Sequence, residues 1–600
     1  TVSVLYCECP AFSPVPDMSS EEPTSPVPGG RGYHRAVMRA VDLLWDNHPD
    51  EAEKILEKKK DHNPRWALEW AYVMCVRGLM SASNENREAM LDRFQHADGL
   101  ATKVKYTVPE EDDDDADAFL EAAEADGATI TDEEKKRIAK ERAKALEKQR
   151  EKDKAAYKKG GANHVATNWK LECDVIYADA LFVRSIVQLT LNSYFKGGVN
   201  LRKTWGCFYA LQQEVEKDTE GNIPTDIAMA IKYGCGVFYA YLALVPAGLM
   251  KLLSAIGFIS DKELGEQYLT EVFESDTIRT PQAALVLCTY YLFLPTGLGN
   301  VKTTLAKAKV VLDKMNEKYP NNSYFWGYLN FYHRKSGNTA EAVDAITKAS
   351  ANAQAAGQKP TLLTYLLGDT LYMDLQFARA KTHYEQLLEH LENTGETFAY
   401  TGQVVISLAA CYIMLGDDDT AIKWLKRVQS MFNPKSKQDA NSPKYAARVL
   451  KEPRLLPLTP VYVLYINRDL AHMKEDHVEK LRACMKEVTT GKDLSPPEVG
   501  AMFNLFEGVM YKNTGKPETA RQTFAKIFEV EKKLASDSLV LPYCYYEQGE
   551  MEYRAGNYAE AKRLFDKGQN LKGDGHETLA NRYNIAQKQL KREMKEKGLA

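Results

Sequence analysis

The residues of this chain that could bind a metal ion do not fall into the arrangement that metal binding requires. Zinc needs three or four ligands that converge on one point. His472 and His477 are five positions apart, which places them on different sides of a helix, and His383 and His390 lie two helical turns apart, too far to share one ion. The ten cysteines are scattered without a Cys-x-x-Cys pair. We therefore expect no metal centre.

Nucleotide chemistry and acyl-transfer chemistry find equally little support. The run at 297–304, Gly-Leu-Gly-Asn-Val-Lys-Thr-Thr, has Val301 where a phosphate-binding loop requires glycine before its lysine. The residues before this run have a helical pattern, and not that of a strand. No Gly-x-Ser-x-Gly or His-Glu-x-x-His motif occurs. The sequence thus predicts a protein that is not an enzyme, with no catalytic residues and no cofactor.

Length and charge narrow the class of protein further. Six hundred residues predict several domains or one extended repeat array. The chain carries 78 basic and 83 acidic residues, a formal net charge of −5, and a nucleic-acid-binding protein usually has a basic surplus. Ten dispersed cysteines in a chain of this size are typical of a reduced, intracellular protein. We therefore expect no nucleic-acid partner.

Two apolar windows of the chain are long enough to need a separate interpretation. Residues 233–250 and 281–301 contain no charged side chain, and their lengths approach the roughly 20 residues that span a bilayer. Proline interrupts both windows, at Pro246 and at Pro295. We interpret them as helices buried on all sides, with an apolar groove for lipid or for a partner as the alternative. The candidate contact residues of that groove are Phe238, Tyr241, Leu244 and Leu249.

A repeat with a period near 34 residues accounts for most of the remaining chain. Each tetratricopeptide unit consists of two helices, with small residues at positions 8 and 20, an aromatic or aliphatic residue at position 24 and glycine near position 15. Strong copies lie at 323–350, 402–430, 501–530 and 542–571, and weaker copies at 33–64, 281–320 and 361–388. The residues predicted to pack between the helices are Ala342, Ala421, Gly508, Ala520, Gly549, Ala561 and Phe565.

These patterns predict an all-α fold, a tetratricopeptide-repeat superhelix (an α-solenoid) with a central helical hub of its own. Stacked repeats of this kind form a concave surface that binds partners. The predicted regions are a disordered proline-rich tail at 1–32, a helical repeat region at 33–106, a charged and partly disordered insert at 107–163, a further helical region at 164–300 and tetratricopeptide repeats at 301–600.

The hub region is similar to the signature of a known family. Residues 228–265 combine a glycine-rich apolar helix (Tyr-Gly-Cys-Gly-Val-Phe), a Leu-Val-Pro break and a closing Asp-Lys-Glu-Leu-Gly run. The Tyr-Ala-Asp-Ala run at 177–180 and the Lys-Gly-Gly-containing run at 194–202 match further elements. On these residues the chain resembles the tetratricopeptide repeat protein 39 family, which includes fungal inclusion-body-clearance proteins. The resemblance covers 165–600 well and 33–100 loosely.

The resemblance implies a non-enzymatic adaptor or scaffold whose concave surface holds a protein partner of unknown identity. Fungal relatives are associated with clearance of protein inclusions, with lipid droplets and with the mitochondrial outer membrane. We therefore expect a role in inclusion-body clearance or in lipid-related protein homeostasis. The expected location is the cytoplasm, with the nucleus, the mitochondrial outer membrane and the lipid-droplet surface as further locations. The alternative function is peripheral lipid or membrane association through an apolar groove formed by 226–260 and 281–299.

Overall fold

Helices are the only regular elements in the part of the chain that the structure describes. This computed structural model describes residues 33–80, 84–106, 164–191, 193–242, 254, 257–293, 298, 301–358, 360–436, 439–571 and 576–599. These residues contain 24 α-helices and three short 3₁₀ helices, without a strand. The all-α prediction is therefore confirmed. The predicted tail at 1–32 and the insert at 107–163 lie outside the described residues.

Nine of the helices in the described residues precede residue 298. They are α1 (Tyr33–Trp45), α2 (Pro49–Glu57), α3 (Pro64–Met80), α4 (Asn84–Val104), α5 (His164–Thr190), α6 (Tyr194–Lys217), α7 (Thr225–Leu242), α8 (Lys262–Glu274) and α9 (Thr280–Phe293). Most of them pack against the next helix along the chain, so this half is built as a series of helical hairpins.

The other fifteen of the described α-helices follow residue 298. They are α10 (Val301–Lys318), α11 (Ser323–Lys335), α12 (Thr339–Ala355), α13 (Thr361–Met373), α14 (Phe377–Thr394), α15 (Thr401–Met414), α16 (Asp418–Met431), α17 (Ser442–Lys451), α18 (Thr459–Ile466), α19 (Glu475–Thr489), α20 (Pro497–Asn513), α21 (Pro517–Glu529), α22 (Val540–Arg554), α23 (Tyr558–Gln569) and α24 (His576–Glu596). The 3₁₀ helices are Pro453–Leu458, Asp469–Ala471 and Glu531–Lys533. The helix pairs α11/α12, α13/α14, α15/α16, α20/α21 and α22/α23 are the repeat units.

Small residues allow the two helices of a unit to approach closely. A methyl group added at Gly508 would lie 2.3 Å from the ring of Phe524, and one at Gly549 would lie 2.5 Å from the ring of Phe565. Each aromatic ring therefore occupies the space that the glycine, sixteen residues earlier, leaves open. The position-20 alanines of four units have no exposed surface, and these are Ala342, Ala421, Ala520 and Ala561.

The turn inside each unit adopts a left-handed conformation at a fixed place, five residues before the buried alanine. Gly515 and Gly556 have φ angles of 73° and 83° there. The weaker copies place other residues in the same conformation, Leu375 at 61° and Asn47 at 71°. A left-handed conformation is strained for leucine but not for glycine. The units at 33–64 and 361–388 therefore share the turn of the strong copies although they lack its glycine.

Glycines also bring the helices of the hub together. A methyl group at Gly234 in α7 would lie 2.1 Å from the ring of Phe208 in α6. One at Gly265 in α8 would lie 2.6 Å from the backbone nitrogen of Ala240. Helix α7 runs unbroken past its glycines. These glycines thus allow neighbouring helices to pack closely, and they do not bend α7.

A buried network of charges joins the first helices to the hub. Arg65 in α3 lies 3.4 Å from Glu69 and 3.3 Å from Glu172 of α5. Arg279, just before α9, lies 3.0 Å from Glu69 and 2.8 Å from Asp179. All five side chains are almost fully buried. We call these five residues the N-terminal charge cluster, and both of its arginines have carboxylate partners.

Candidate functional site

The chain's own residues 453–474, here called the inner segment, run through the interior of the repeat superhelix. Helix α18 within it is apolar around its whole circumference, and every residue of 459–465 is buried. The first helices of the repeat units are buried over most of their residues, as in α13 and α15. The second helices bury only one stripe, which in α16 is Ala421, Leu425 and Val428. The first helices therefore face the interior and the second helices face solvent.

Side chains of the first helices of five units hold the inner segment in place. The Tyr372 hydroxyl in α13 donates to the Pro460 carbonyl at 3.0 Å. The Tyr465 hydroxyl donates to Glu547 of α22 at 3.1 Å. The remaining polar contacts come from Arg334 of α11, Gln403 of α15 and Asn513 of α20. The inner segment thus occupies much of the concave space that a partner would otherwise fill.

A group of cations lies where the inner segment turns after α18. Arg334 forms an ion pair with Asp469 at 2.8 Å, and both side chains are buried. Lys335 and His472 are partly buried beside this pair, and Arg468 is exposed in a left-handed conformation with φ of 64°. We call the two cations Lys335 and Arg468, together with the His472 imidazole beside them, the inner cation cluster. Across the described residues, the Lys335 ammonium and the Arg468 guanidinium take part in no hydrogen bond or ion pair.

Desolvation and repulsion from neighbouring cations act on each of these three groups. Burial, followed by the repulsion from Arg468, lowers the pKa of Lys335 to about 8. Burial and the nearby Lys335 and Arg468 lower the pKa of His472 to about 3, so the imidazole is neutral at neutral pH. Burial and the nearby Arg582 lower the pKa of Arg468.

The acidic groups around the inner cation cluster already have partners. Lys512 lies 2.8 Å from Glu550, and Arg582 lies 3.4 Å from Glu547. Asp369 accepts a hydrogen bond from the Tyr384 hydroxyl at 2.7 Å, and burial raises the pKa of its carboxyl to about 6. The acidic groups therefore leave the cluster with an excess of positive charge.

The structure describes two of the four apolar contact residues predicted for the hub, and their exposure differs. Phe238 is only 4% exposed and packs 5.4 Å from Trp205, between ring centroids, so its ring belongs to the core and not to an open surface. Tyr241 is 40% exposed. Leu244 and Leu249 lie outside the described residues.

The described part of the chain offers neither a metal site nor a membrane-spanning helix. No group of three or more His, Cys, Asp or Glu side chains in the described ranges is arranged to hold a metal ion. The His477 imidazole hydrogen-bonds the Met373 carbonyl at 3.0 Å. None of the described helices is both long enough and apolar enough to cross a bilayer. Two surface cavities of about 520 and 470 Å³ lie elsewhere, one beside His96 and one beside Tyr558.

Sequence reasoning missed the inner segment and its cations. One signal was available: the run at 455–466 is apolar except for Thr459 and lies between two charged stretches. A helix that is apolar all round is buried on all sides. Nothing in the sequence placed Arg468 near Lys335, which lies 133 positions earlier.

The repeated helix pairs, their buried alanines and their left-handed turns define a tetratricopeptide-type helical repeat protein, a class that works as a scaffold for protein interactions. The chain belongs to the Iml2/Tetratricopeptide repeat protein 39 family, whose sequence model matches residues 38–514. The match ends at 514, before the last repeat unit.

Three solved structures show a distant similarity to this chain. The human IFIT1 dimer with PPP-AAAA is 14% identical and covers 82% of this chain and 95% of its own, with a TM-score of 0.29. Yeast Tom70 is 14% identical, and the similarity covers 88% of this chain and 97% of the Tom70 chain, with a TM-score of 0.22. The matched chain of the Cut9–Hcn1 hetero-tetramer is 13% identical, and the similarity covers 94% of this chain and 96% of that chain, with a TM-score of 0.21. At these scores we draw no function from them.

Proposed function

We propose that this chain is a non-enzymatic scaffold that holds a protein partner on the inner side of its repeats. We extend the proposal to a cytoplasmic role in inclusion-body clearance or in lipid-related protein homeostasis, following the resemblance described above. The observation that carries the scaffold proposal is the position of the first helices, which together surround one interior. That interior retains accessible charged groups at the turn after α18.

A photo-crosslinking amino acid at Ala471 tests the scaffold proposal. Ala471 is exposed and lies three residues from Arg468 on the inner segment. The matched control carries the same amino acid at Arg563, which is exposed on the outward-facing α23. Affinity purification and mass spectrometry, with and without detergent, would then identify the crosslinked proteins. We expect defined protein adducts from position 471 and none from 563. Equal adducts at both positions, or none at 471, would contradict an inner partner surface.

Exposed apolar side chains favour a second candidate function, peripheral association with lipid. They concentrate around the hub, where Phe195, Tyr194 and Val199 at the start of α6 are 87%, 65% and 53% exposed. Among the described residues after 310, the large exposed apolar side chains are only Leu362, Leu415 and Leu599. Contiguous exposed apolar surface usually marks a binding site for membrane or protein. Lys196 and Arg202 in the same stretch would suit anionic headgroups.

Flotation with vesicles of phosphatidylcholine and phosphatidylserine tests this second function. The variant Phe195→Asp should lose flotation, because a charged residue cannot enter the apolar layer. Leu362→Asp, which changes an exposed leucine in the repeats, is the matched control and should float like the wild type. If the wild-type protein does not float with the vesicles, the lipid function is contradicted. This result would not bear on the scaffold function.

A further inference from the structure

We propose that Lys335, Arg468 and His472 bind carboxylates of an acidic peptide segment. This inference rests on the scaffold function proposed above and specifies the chemistry of its partner. It assigns a site at the turn that follows α18, inside the repeat superhelix.

The backbone that follows Arg468 is fixed by its neighbours, so the side chain extends from a rigid support. Asp469 is paired with Arg334, and the Leu470 carbonyl accepts a hydrogen bond from Asn513 at 3.1 Å. Further along, the His472 carbonyl is packed so tightly against Gly337 that a methyl group there would approach to 2.5 Å. A binding group held by fixed neighbours loses little freedom when its ligand arrives.

Charge complementarity identifies the ligand as an anion. Partial burial of a cation without a counter-ion destabilises a fold, and protein interiors normally pair such groups. The N-terminal charge cluster shows that this chain pairs its buried arginines elsewhere. At the inner cation cluster, Lys335 and Arg468 lack that pairing and repel one another. An incoming carboxylate would supply it, and a guanidinium can hold both carboxylate oxygens through two parallel hydrogen bonds.

The surrounding carboxylates limit the ligand to a few negative charges and favour a peptide over a nucleic acid. Asp469, Glu547 and Glu550 all lie close enough to influence the cluster electrostatically. A polyphosphate backbone places a negative charge at every nucleotide and would be repelled by these three groups. A peptide can present one or two carboxylates to the cations and can place neutral groups next to the three surrounding carboxylates.

Fluorescence anisotropy with the full chain tests the proposal. The probe is a labelled decapeptide of glutamate, and a glutamine decapeptide of equal length is its uncharged counterpart. The variants are Arg468→Asn, which suits a left-handed backbone, and Lys335→Met, which keeps an unbranched side chain. Arg563→Gln removes one cation from the outer surface and is the matched control. Thermal melts establish that each variant is folded.

We expect the wild type to bind the glutamate peptide and not the glutamine peptide. Binding should weaken about 10-fold or more in Arg468→Asn and in Lys335→Met, and less than about 2-fold in Arg563→Gln. Inorganic phosphate, at high concentration, should compete with the peptide, because both are anions.

Three results would overturn the proposal. They are no binding by the wild type, an equal loss in Arg563→Gln, and tighter binding of single-stranded RNA that Arg468→Asn abolishes. The scaffold function is judged separately by crosslinking at position 471. If the chain fails to bind the peptide but still forms protein adducts at position 471, the carboxylate site is contradicted. The scaffold function is then still supported.

Discussion

The N-terminal charge cluster and the inner cation cluster differ in their burial and in the pairing of their cations. In the N-terminal charge cluster, two arginines contact three carboxylates, and the Tyr72 hydroxyl donates to Asp179 at 2.8 Å. In the inner cation cluster, Arg468 and Lys335 have no counter-ion within the described residues. Burial opposes the charge of Arg279, but Glu69 and Asp179 outweigh it and raise the pKa of this residue. The opposite holds for Lys335, whose pKa is lowered.

We interpret this difference as the difference between a structural role and the binding role proposed above. A paired, fully buried network fixes how α3, α5 and α9 pack, and removing one member leaves its partners uncompensated. A cation without a partner contributes no such link, and its presence lowers the stability of the folded state. Perturbed groups of this second kind concentrate at functional sites. Mutations in the two clusters should therefore differ in magnitude and in sign.

The largest expected effect is a loss of stability in Arg279→Met. The substitution leaves Glu69 and Asp179 buried without their shared cation, and breaking such a pair typically costs about 3–5 kcal/mol. A fall in melting temperature, measured by circular dichroism, reports this loss. Arg563→Gln, which removes an exposed arginine, should melt with the wild type. An unchanged melting temperature in Arg279→Met would mean that the network does not hold the first helices to the hub.

A smaller loss is expected from Arg334→Met. Asp469 would remain buried without its ion pair, but the adjacent Lys335 would compensate for part of its charge. We expect a loss of about 2–3 kcal/mol in the free energy of unfolding. Urea denaturation followed by circular dichroism measures it. A gain in stability in Arg334→Met would contradict this prediction, because it would show that the ion pair with Asp469 does not stabilise the fold. Arg334 would then differ from Arg279, whose loss is expected to destabilise the fold.

The next residue should behave in the opposite way, with Lys335→Met stabilising the fold by about 1–3 kcal/mol at neutral pH. The pKa of Lys335 is lowered to about 8 in the folded chain, so its charged form destabilises that state. Because the unfolded chain holds the proton more tightly, wild-type stability rises between about pH 8 and the ordinary lysine pKa. The advantage of the variant should therefore be complete below pH 8 and should shrink as pH rises toward 10. Melting curves across this range test both statements, and an advantage that is constant with pH contradicts them.

The smallest effect is expected from Arg468→Asn. No pair is lost, one repelling charge disappears, and asparagine tolerates the left-handed conformation of residue 468. We expect a change within about 0.5 kcal/mol. A loss comparable with that of Arg334→Met would show that Arg468 has a structural partner, and the contrast between the clusters would then fail.

The repeat units could be predicted from sequence because their determinants are local. Gly549 and Phe565 are sixteen residues apart and pack on each other within one helix pair, so a fixed spacing reveals them. The clusters could not be predicted, because they join residues that the spacing rule does not relate. Arg65 and Glu172 are 107 positions apart, and Arg334 and Asp469 are 135 apart. The resemblance identified the hub but not its packing, because Phe238 turned out to be enclosed by aromatic rings.

The inner segment changes how this repeat protein should fold. In an ordinary solenoid each repeat touches only its neighbours, so the ends can unfold while the middle persists. Here one stretch of chain contacts the first helices of five units. Loops of up to 135 residues must therefore close before these units are complete, which slows folding. We expect the units from α11 to α22 to exchange their amide hydrogens as one cooperative block, without the gradient from ends to centre that free-standing repeats display.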